Sequence, residues 1–261
     1  MKTKTKPIIK VISLLVIVFS TMTASAYALP FKIEGAIGVW NHDPNGMINY
    51  QGDDVHLNSD LSLKDRTDMN LWLRVEHPVP MLPDIKIQYT PIKVDDNNTP
   101  NRPFIFGGKN FDEAIHSELE MDIIDVQLYN HLPFIQLASL KGLDVTYGMT
   151  FRFLNATAFI DEIQTLDSKS RSFSTPMPLL TAGFNIAPMS SFSLNGEFMA
   201  MTYSGNHWYD VTAKLHLSPF SEFIFMGIGY RYQDFKLDDV QDVTADQTMQ
   251  GFFGEIGFRF E

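Results

Sequence analysis

The chain has 261 residues, a formal charge of −11, no cysteine and 21 phenylalanines within a 13% aromatic composition. So acidic a chain offers no basic surface to neutralise phosphates, which argues against nucleic acid as a partner. Without cysteine there is neither disulfide stapling nor thiol chemistry, and His, Asp and Glu remain as the metal ligands.

Lys2, Lys4, Lys6 and Lys10 form a basic start, Val11 to Phe19 an apolar core, and Ala26-Tyr27-Ala28 a small-residue cleavage pattern. This reads as an export signal over 1–28, because the core is too short to cross a bilayer as a helix. Its removal takes away four lysines and no acid, so the charge falls to −15. Residues 29–261 read as a single domain, with no linker and no low-complexity tract. No stretch of it approaches about eighteen apolar residues, so no transmembrane helix is expected.

Alternation with a period of two dominates the rest. Phe31, Ile33, Ile37 and Val39 oppose Lys32, Glu34 and Trp40, and Met69, Leu71, Leu73 and Val75 oppose Asp68, Asn70, Arg74 and Glu76. After the proline-set turn at 77–83, Ile85, Ile87 and Tyr89 oppose Lys86, Gln88 and Thr90. The phase then shifts at Pro91 toward Ile92 and Val94, which predicts a bulge. A second shift falls between Ile123 and Ile124: Glu118, Glu120 and Asp122 share one face, then Asp125, Gln127 and Tyr129 do. Further strands are predicted over 143–153, 180–186, 192–200, 209–217 and 224–233. The last, 251–261, puts Phe252, Gly254, Ile256, Phe258 and Phe260 on one face, with Phe253, Glu255 and Arg259 behind. That makes ten strands, with eight or twelve also compatible. Asn130 to Gly142 reads as a short helix or a segment at the lipid interface.

Long polar connections are predicted at 41–66, 95–112, 160–171 and 237–247, alternating with tight turns. Long loops at one end and short turns at the other mark a closed, antiparallel, up-and-down transmembrane β-barrel. The bulky apolar face would overfill so small a barrel, whereas a face of charges and small residues fits a narrow lumen. The apolar row is therefore expected to face lipid, and Trp40, Tyr89, Tyr203, Trp208, Tyr209 and Tyr232 to form interfacial girdles.

Val75-Glu-His-Pro-Val-Pro-Met-Leu-Pro83 resembles the EHPxPLLP turn of a family of Gram-negative outer-membrane β-barrel proteins, one that occurs alongside the GlyGly-C-terminal protein-sorting system. Asp125–Tyr129, Leu143–Arg152 and Gly229–Asp239 are similar to its other recurring blocks. The resemblance implies an outer-membrane barrel, in contact with lipid and lipopolysaccharide and inserted by the barrel-assembly machinery. It supplies no catalytic residues. Such barrels usually end on the aromatic residue that machinery reads, and here Glu261 follows Phe260.

The polar face collects Glu34, Asp68, Arg74, Glu76, Asp125, Asp144, Arg152, Glu197, Asp210, Lys214, His216, Arg231, Glu255 and Arg259. In a confined lumen these must pair or stay hydrated. They read either as a salt-bridge network filling a structural barrel, or as the lining of a narrow channel or binding site for small polar solutes. A barrel hydrolase of lipid or peptide would need a base, its orienting acid and a nucleophile together. His207, Asp210 and His216 are the residues to consider for that. A soluble periplasmic ligand-binding barrel is the remaining reading. Asp238, Asp239, Asp242 and Asp246 crowd one predicted loop, either as oxygen ligands for a divalent cation or as solvated loop charge.

Overall fold

The computed structural model describes residues 31–79, 81–133, 135, 142–164, 167–189, 191–221 and 223–260. The expected export signal, most of the 130–142 segment and Glu261 lie outside the described residues. The strands are β1 (Lys32–Tyr50), β2 (Val55–His56), β3 (Arg66–Glu76), β4 (Asp84–Asn98), β5 (Phe104–Phe106), β6 (Lys109–Phe111) and β7 (Ile115–His131). There follow β8 (Leu143–Glu162), β9 (Ser168–Met189), β10 (Phe192–Tyr203), β11 (Asn206–Ser221), β12 (Ile224–Val240) and β13 (Val243–Phe260). Successive long strands (β1, β3, β4 and β7 to β13) pair antiparallel, and β13 closes onto β1 from Ile33↔Phe260 to Tyr50↔Val243. The result is a closed ten-stranded barrel of the long strands. Its base carries the connection 77–83 and those between β9 and β10 and between β11 and β12, and its crown the connections 51–65, 99–114, 163–167, 204–205 and 241–242.

The strands are much longer than a membrane needs. A tilted strand crosses a bilayer in about 9–11 residues, whereas β8 has 20 and β9 has 22. At about 3.3 Å per residue and about 45° of tilt, a 20-residue strand stands about 45 Å tall. An apolar outer band needs only about 25 Å. The excess is extra strand at the crown, so the connections are shorter than predicted. The predicted loop 237–247 is a hairpin whose turn residues, Gln241 and Asp242, have φ of 56° and 66°. Two consecutive positive φ values match the twist of a tight hairpin.

The outer wall shows where the excess begins. From the base upward, β8 presents Val145, Tyr147, Met149, Phe151 and Phe153 outward, then Asn155, Thr157, Phe159 and Asp161. β9 presents Phe184, Leu180, Pro178 and Pro176, then Ser174, Ser172 and Ser170. β13 presents Phe260, Ile256 and Phe252, then Gln250, Thr248 and Asp246. The bore changes in the opposite sense. On β7 the inward residues run Gln127 and Asp125, then Ile123, Met121, Leu119 and Ile115. On β8 they run Thr146, Thr150 and Arg152, then Leu154, Ala156, Ala158 and Ile160.

This exchange corrects both predicted phase shifts. β7 alternates without a break from Ile115 to Tyr129, and β4 pairs with it in one register from Asp84↔Tyr129 to Asn98↔Ile115. There is no bulge at Pro91 and no slip at Ile123; the polarity of the faces changes while the backbone continues. Pro91 acts on the other neighbour. It has no N–H to donate, and the β3–β4 ladder stops at Leu71↔Tyr89 just below it. Side chains bridge the gap above: the Lys93 amide donates to Asp68 (2.9 Å) and Arg66 donates to the Asp95 carbonyl (2.8 Å).

The crown is filled as a water-soluble core would be. Val55, Leu57, Leu61 and Leu63 from the first crown connection and Phe104, Phe106 and Phe111 from the β5–β6 hairpin fold into the mouth. They pack on Ile92, Leu119, Leu154, Ile160 and Phe235. Trp40 and Trp208 are 1% and 0% exposed and face the bore, which corrects their predicted place in an outer girdle. Tyr203, at 78% exposure, does lie outside.

A double cysteine experiment checks the two-zone wall. A spin label at Phe151→Cys should be more accessible to oxygen than to a water-soluble nickel chelate in bilayers, and one at Ser172→Cys should show the reverse.

Candidate functional site

All fourteen polar-face residues singled out above sit at inward strand positions, and they fall into a sealed layer and an open chamber. The layer crosses the middle of the bore around Asp210. Its carboxylate accepts from Arg231 Nε and Nη2 (3.0 and 2.7 Å), Arg152 Nη2 (2.8 Å) and Gln233 Nε2 (2.8 Å). Arg152 also donates through Nε and Nη2 to both oxygens of Asp125, each at 2.7 Å. Arg231 Nη1 reaches Thr90 Oγ1 at 3.1 Å, and Thr90 donates to Asn70 (3.2 Å). The guanidinium of Arg231 lies 5.1 Å from the Trp40 ring and that of Arg152 4.8 Å from the Trp208 ring. Trp208 stacks in turn on Phe235, centroids 4.2 Å apart, the first contact of the apolar fill above. Arg231, bidentate on Asp210, and Arg152, bidentate on Asp125, meet at Asp210 and neutralise charges that could not otherwise be buried, with Arg152 Nη1 left without a partner.

Below this layer the bore opens into a chamber of about 90 Å³. Lys86 Nζ donates to both Glu197 oxygens at 2.8 Å. Glu255 accepts from Lys214 (3.0 Å) and from Trp72 Nε1 (2.9 Å), and lies 2.8 Å from His216 Nε2. Glu34 accepts from Arg74 and, at 2.7 Å, from Arg259. Arg74 Nε approaches Glu76 at 3.5 Å, and His131 Nδ1 lies 2.8 Å from Asp144 at the rim. Side-chain exposure falls from 31% at Arg74 and 27% at Arg259 to 0% at Arg152 and Asp210, so the chamber opens at the base and ends at the ion layer. Glycine makes the room: a Cβ at Gly257 would meet Phe225 at 2.2 Å, and one at Gly229 would meet Phe253 at 2.5 Å.

Asp68 stands apart from both groups, 2.9 Å from His42 Nε2 in the wall. Lys86 and His131 complete the chamber's ion pairs and were not among the residues singled out. The signal for Lys86 was its place opposite Ile85 and Ile87 in the alternation; His131 lies at the end of a strand that reads as a connection in the sequence.

The hydrolase residues do not converge. His207 faces outward, stacks on Tyr209 and lies 3.4 Å from Asp234. Asp210 faces inward with its oxygens occupied by arginines, and His216 is bound to Glu255 in the chamber. Nor do the four aspartates form a cage. Asp238 and Asp246 are strand residues, the Asp238 amide donating to Asn206 Oδ1, while Asp242 lies 3.8 Å from Arg171. Among the described residues no group of three His, Asp or Glu side chains could hold a metal ion.

No family model and no curated protein matches the chain. Among solved structures it is similar to the outer-membrane protease OmpT of Escherichia coli, at 11% identity over 90% of this chain and 99% of that one, with a TM-score of 0.51. It is also similar to Ail, the attachment invasion locus protein of Yersinia pestis, at 12% identity, 87% and 99% coverage and a TM-score of 0.39. Neisserial surface protein A follows at 8% identity, 88% and 97% coverage and 0.31. At such identities the likeness is one of fold, and the OmpT superposition carries it. The chain has the fold of Gram-negative outer-membrane β-barrels.

The ion layer yields a stability contrast. Asp210→Ala would strand two buried guanidiniums and should cost about 3–5 kcal/mol, read from the urea midpoint of the compact, unboiled electrophoretic band. Asp246→Ala, on the exposed crown, should stay within about 0.5 kcal/mol.

Proposed function

We propose that this chain is an integral outer-membrane barrel that does not conduct, and that it works as a blind-ended binding chamber for small polar solutes. The observation that carries this reading is the bore itself. A polar chamber of about 90 Å³ is open at one end and stopped at the other by the Asp210 layer and the apolar fill above it. A pore would need water along its whole length, and the crown half is packed with Leu and Phe instead.

The orientation follows from the connections. Both ends of the barrel domain and the short connections from Met189 to Phe192 and from Ser221 to Ile224 belong to the base, which is then periplasmic. Solutes enter from that side. Lipid and lipopolysaccharide surround the apolar band, the export signal delivers the chain, and the assembly machinery reads the strand ending at Phe260. An association with the GlyGly-C-terminal sorting system rests on the proline turn at 77–83 and belongs to the same proposal. A soluble carrier is disfavoured by the band, since Leu180 and Phe252 are 70% and 73% exposed on its surface.

Purified protein in planar lipid bilayers should give no stepwise conductance while its unboiled band shows it folded. A steady open-pore current from the folded protein would overturn the proposal.

A further inference from the structure

The chamber's chemistry narrows its occupant, an inference that rests on the blind-chamber reading. Its lining sets four acids, Glu34, Asp144, Glu197 and Glu255, against Arg74, Lys86 and Lys214, with His216 beside them and Arg231, already paired to Asp210, at the closed end. An isolated anion or cation would meet as much repulsion as attraction there. A neutral solute carrying both charges would not.

Two groups give those charges separate places. The ammoniums of Lys86 and Lys214 lie 5.9 and 4.4 Å from the centre of one indole ring, that of Trp72, so two cations converge on one spot. Lys214 donates a single hydrogen bond, to Glu255, and an ammonium carries three donors. Two strands along the wall, where Asn195 pairs with Lys214 on one side and with Asn185 on the other, the side-chain oxygen of Asn185 is buried with no partner. Spare donors and a spare acceptor two strands apart at one height match the carboxylate and the ammonium of one small solute.

The aromatic surfaces argue against a sugar, which would stack on an open ring face. Trp40, Trp72 and Phe253 are 1%, 6% and 8% exposed, and Trp72 is flanked by Lys214 and by Phe225, centroids 6.1 Å apart. Size sets the last limit. At about 10–15 Å³ per water-sized centre, 90 Å³ takes about six to nine of them, the span of a small amino acid.

We infer that the chamber binds a small zwitterion, its carboxylate at the spare donors of Lys214 beside Trp72 and its ammonium toward Asn185 and the neighbouring Glu197. β-Alanine is a suitable probe, with propionate, ethylammonium and glycerol as the separated halves and the neutral control. Folded protein in detergent micelles, followed by calorimetric titration, should bind β-alanine saturably and respond at least tenfold more weakly to each of the other three. Lys214→Met and Glu197→Gln should weaken β-alanine at least tenfold, and Asn185→Ala, which breaks no ion pair, at least threefold. Equal responses to all four solutes, no saturation by β-alanine, or full affinity in Asn185→Ala and Glu197→Gln would overturn the inference.

A separate measurement isolates the underlying reading. Thr212→Cys places a thiol in the chamber wall, and a small water-soluble thiol reagent should modify it in the folded protein. Modification without β-alanine binding removes the zwitterion and keeps the open chamber. Failure of modification removes both.

Discussion

The wall of this barrel meets two solvents, and everything else follows from where one gives way to the other. Against hydrocarbon the outer positions must be apolar and every backbone group paired, which a closed ladder supplies. Polar residues are then left to the inside. Against water the usual arrangement returns, with polar positions outside and a hydrophobic core within. Because side chains alternate strictly along a strand, the wall needs no kink to pass between these regimes. Residues of one parity change from Gln127 and Asp125 to Ile123 and Met121, and those of the other from Ile124 to Asp122 and Glu120. The change falls at about the same height around the bore, just above Arg152 on β8 and Asp125 on β7.

Two interiors of opposite character have to be joined, and the Asp210 layer is the joint. Its arginines have charge to spend on carboxylates and flat faces to set against indoles, so the same groups satisfy the polar chamber below and cap the aromatic fill above. Arg231 on Trp40 and Arg152 on Trp208 do this from nearly opposite strands. A lysine could hold the carboxylate but would leave the ring uncovered.

The fold was legible in the sequence because period-two alternation survives whichever side is greasy. Ten strands, closure and the outward apolar row near both termini could all be read from it. The crown half was misread for a physical reason. Reading polarity as direction assumes a single outer solvent, so the exchange at Pro91 and Ile123 looked like irregular backbone and the polar strand tops looked like loops. Trp40 and Trp208 were placed outside by the same assumption. The lumen charges were legible as a set, since fourteen of them share the inward parity. Their division into layer and chamber was not, because it depends on pairs such as Lys86 with Glu197, 111 residues apart, and on which rings cover which cations.

The interrupted ladder above Leu71↔Tyr89 gives the barrel a grain. Over the tops of β3 and β4 the hoop is fastened, in place of amides, by a few carboxylates and guanidiniums, such as Asp68 and Arg66. Such a fastening is salt-sensitive and can be undone without unravelling a strand. It sits beyond the oily belt, where water can satisfy whatever parts. If the rigid cylinder ever yields sideways, this slit is one place where it would start to gape.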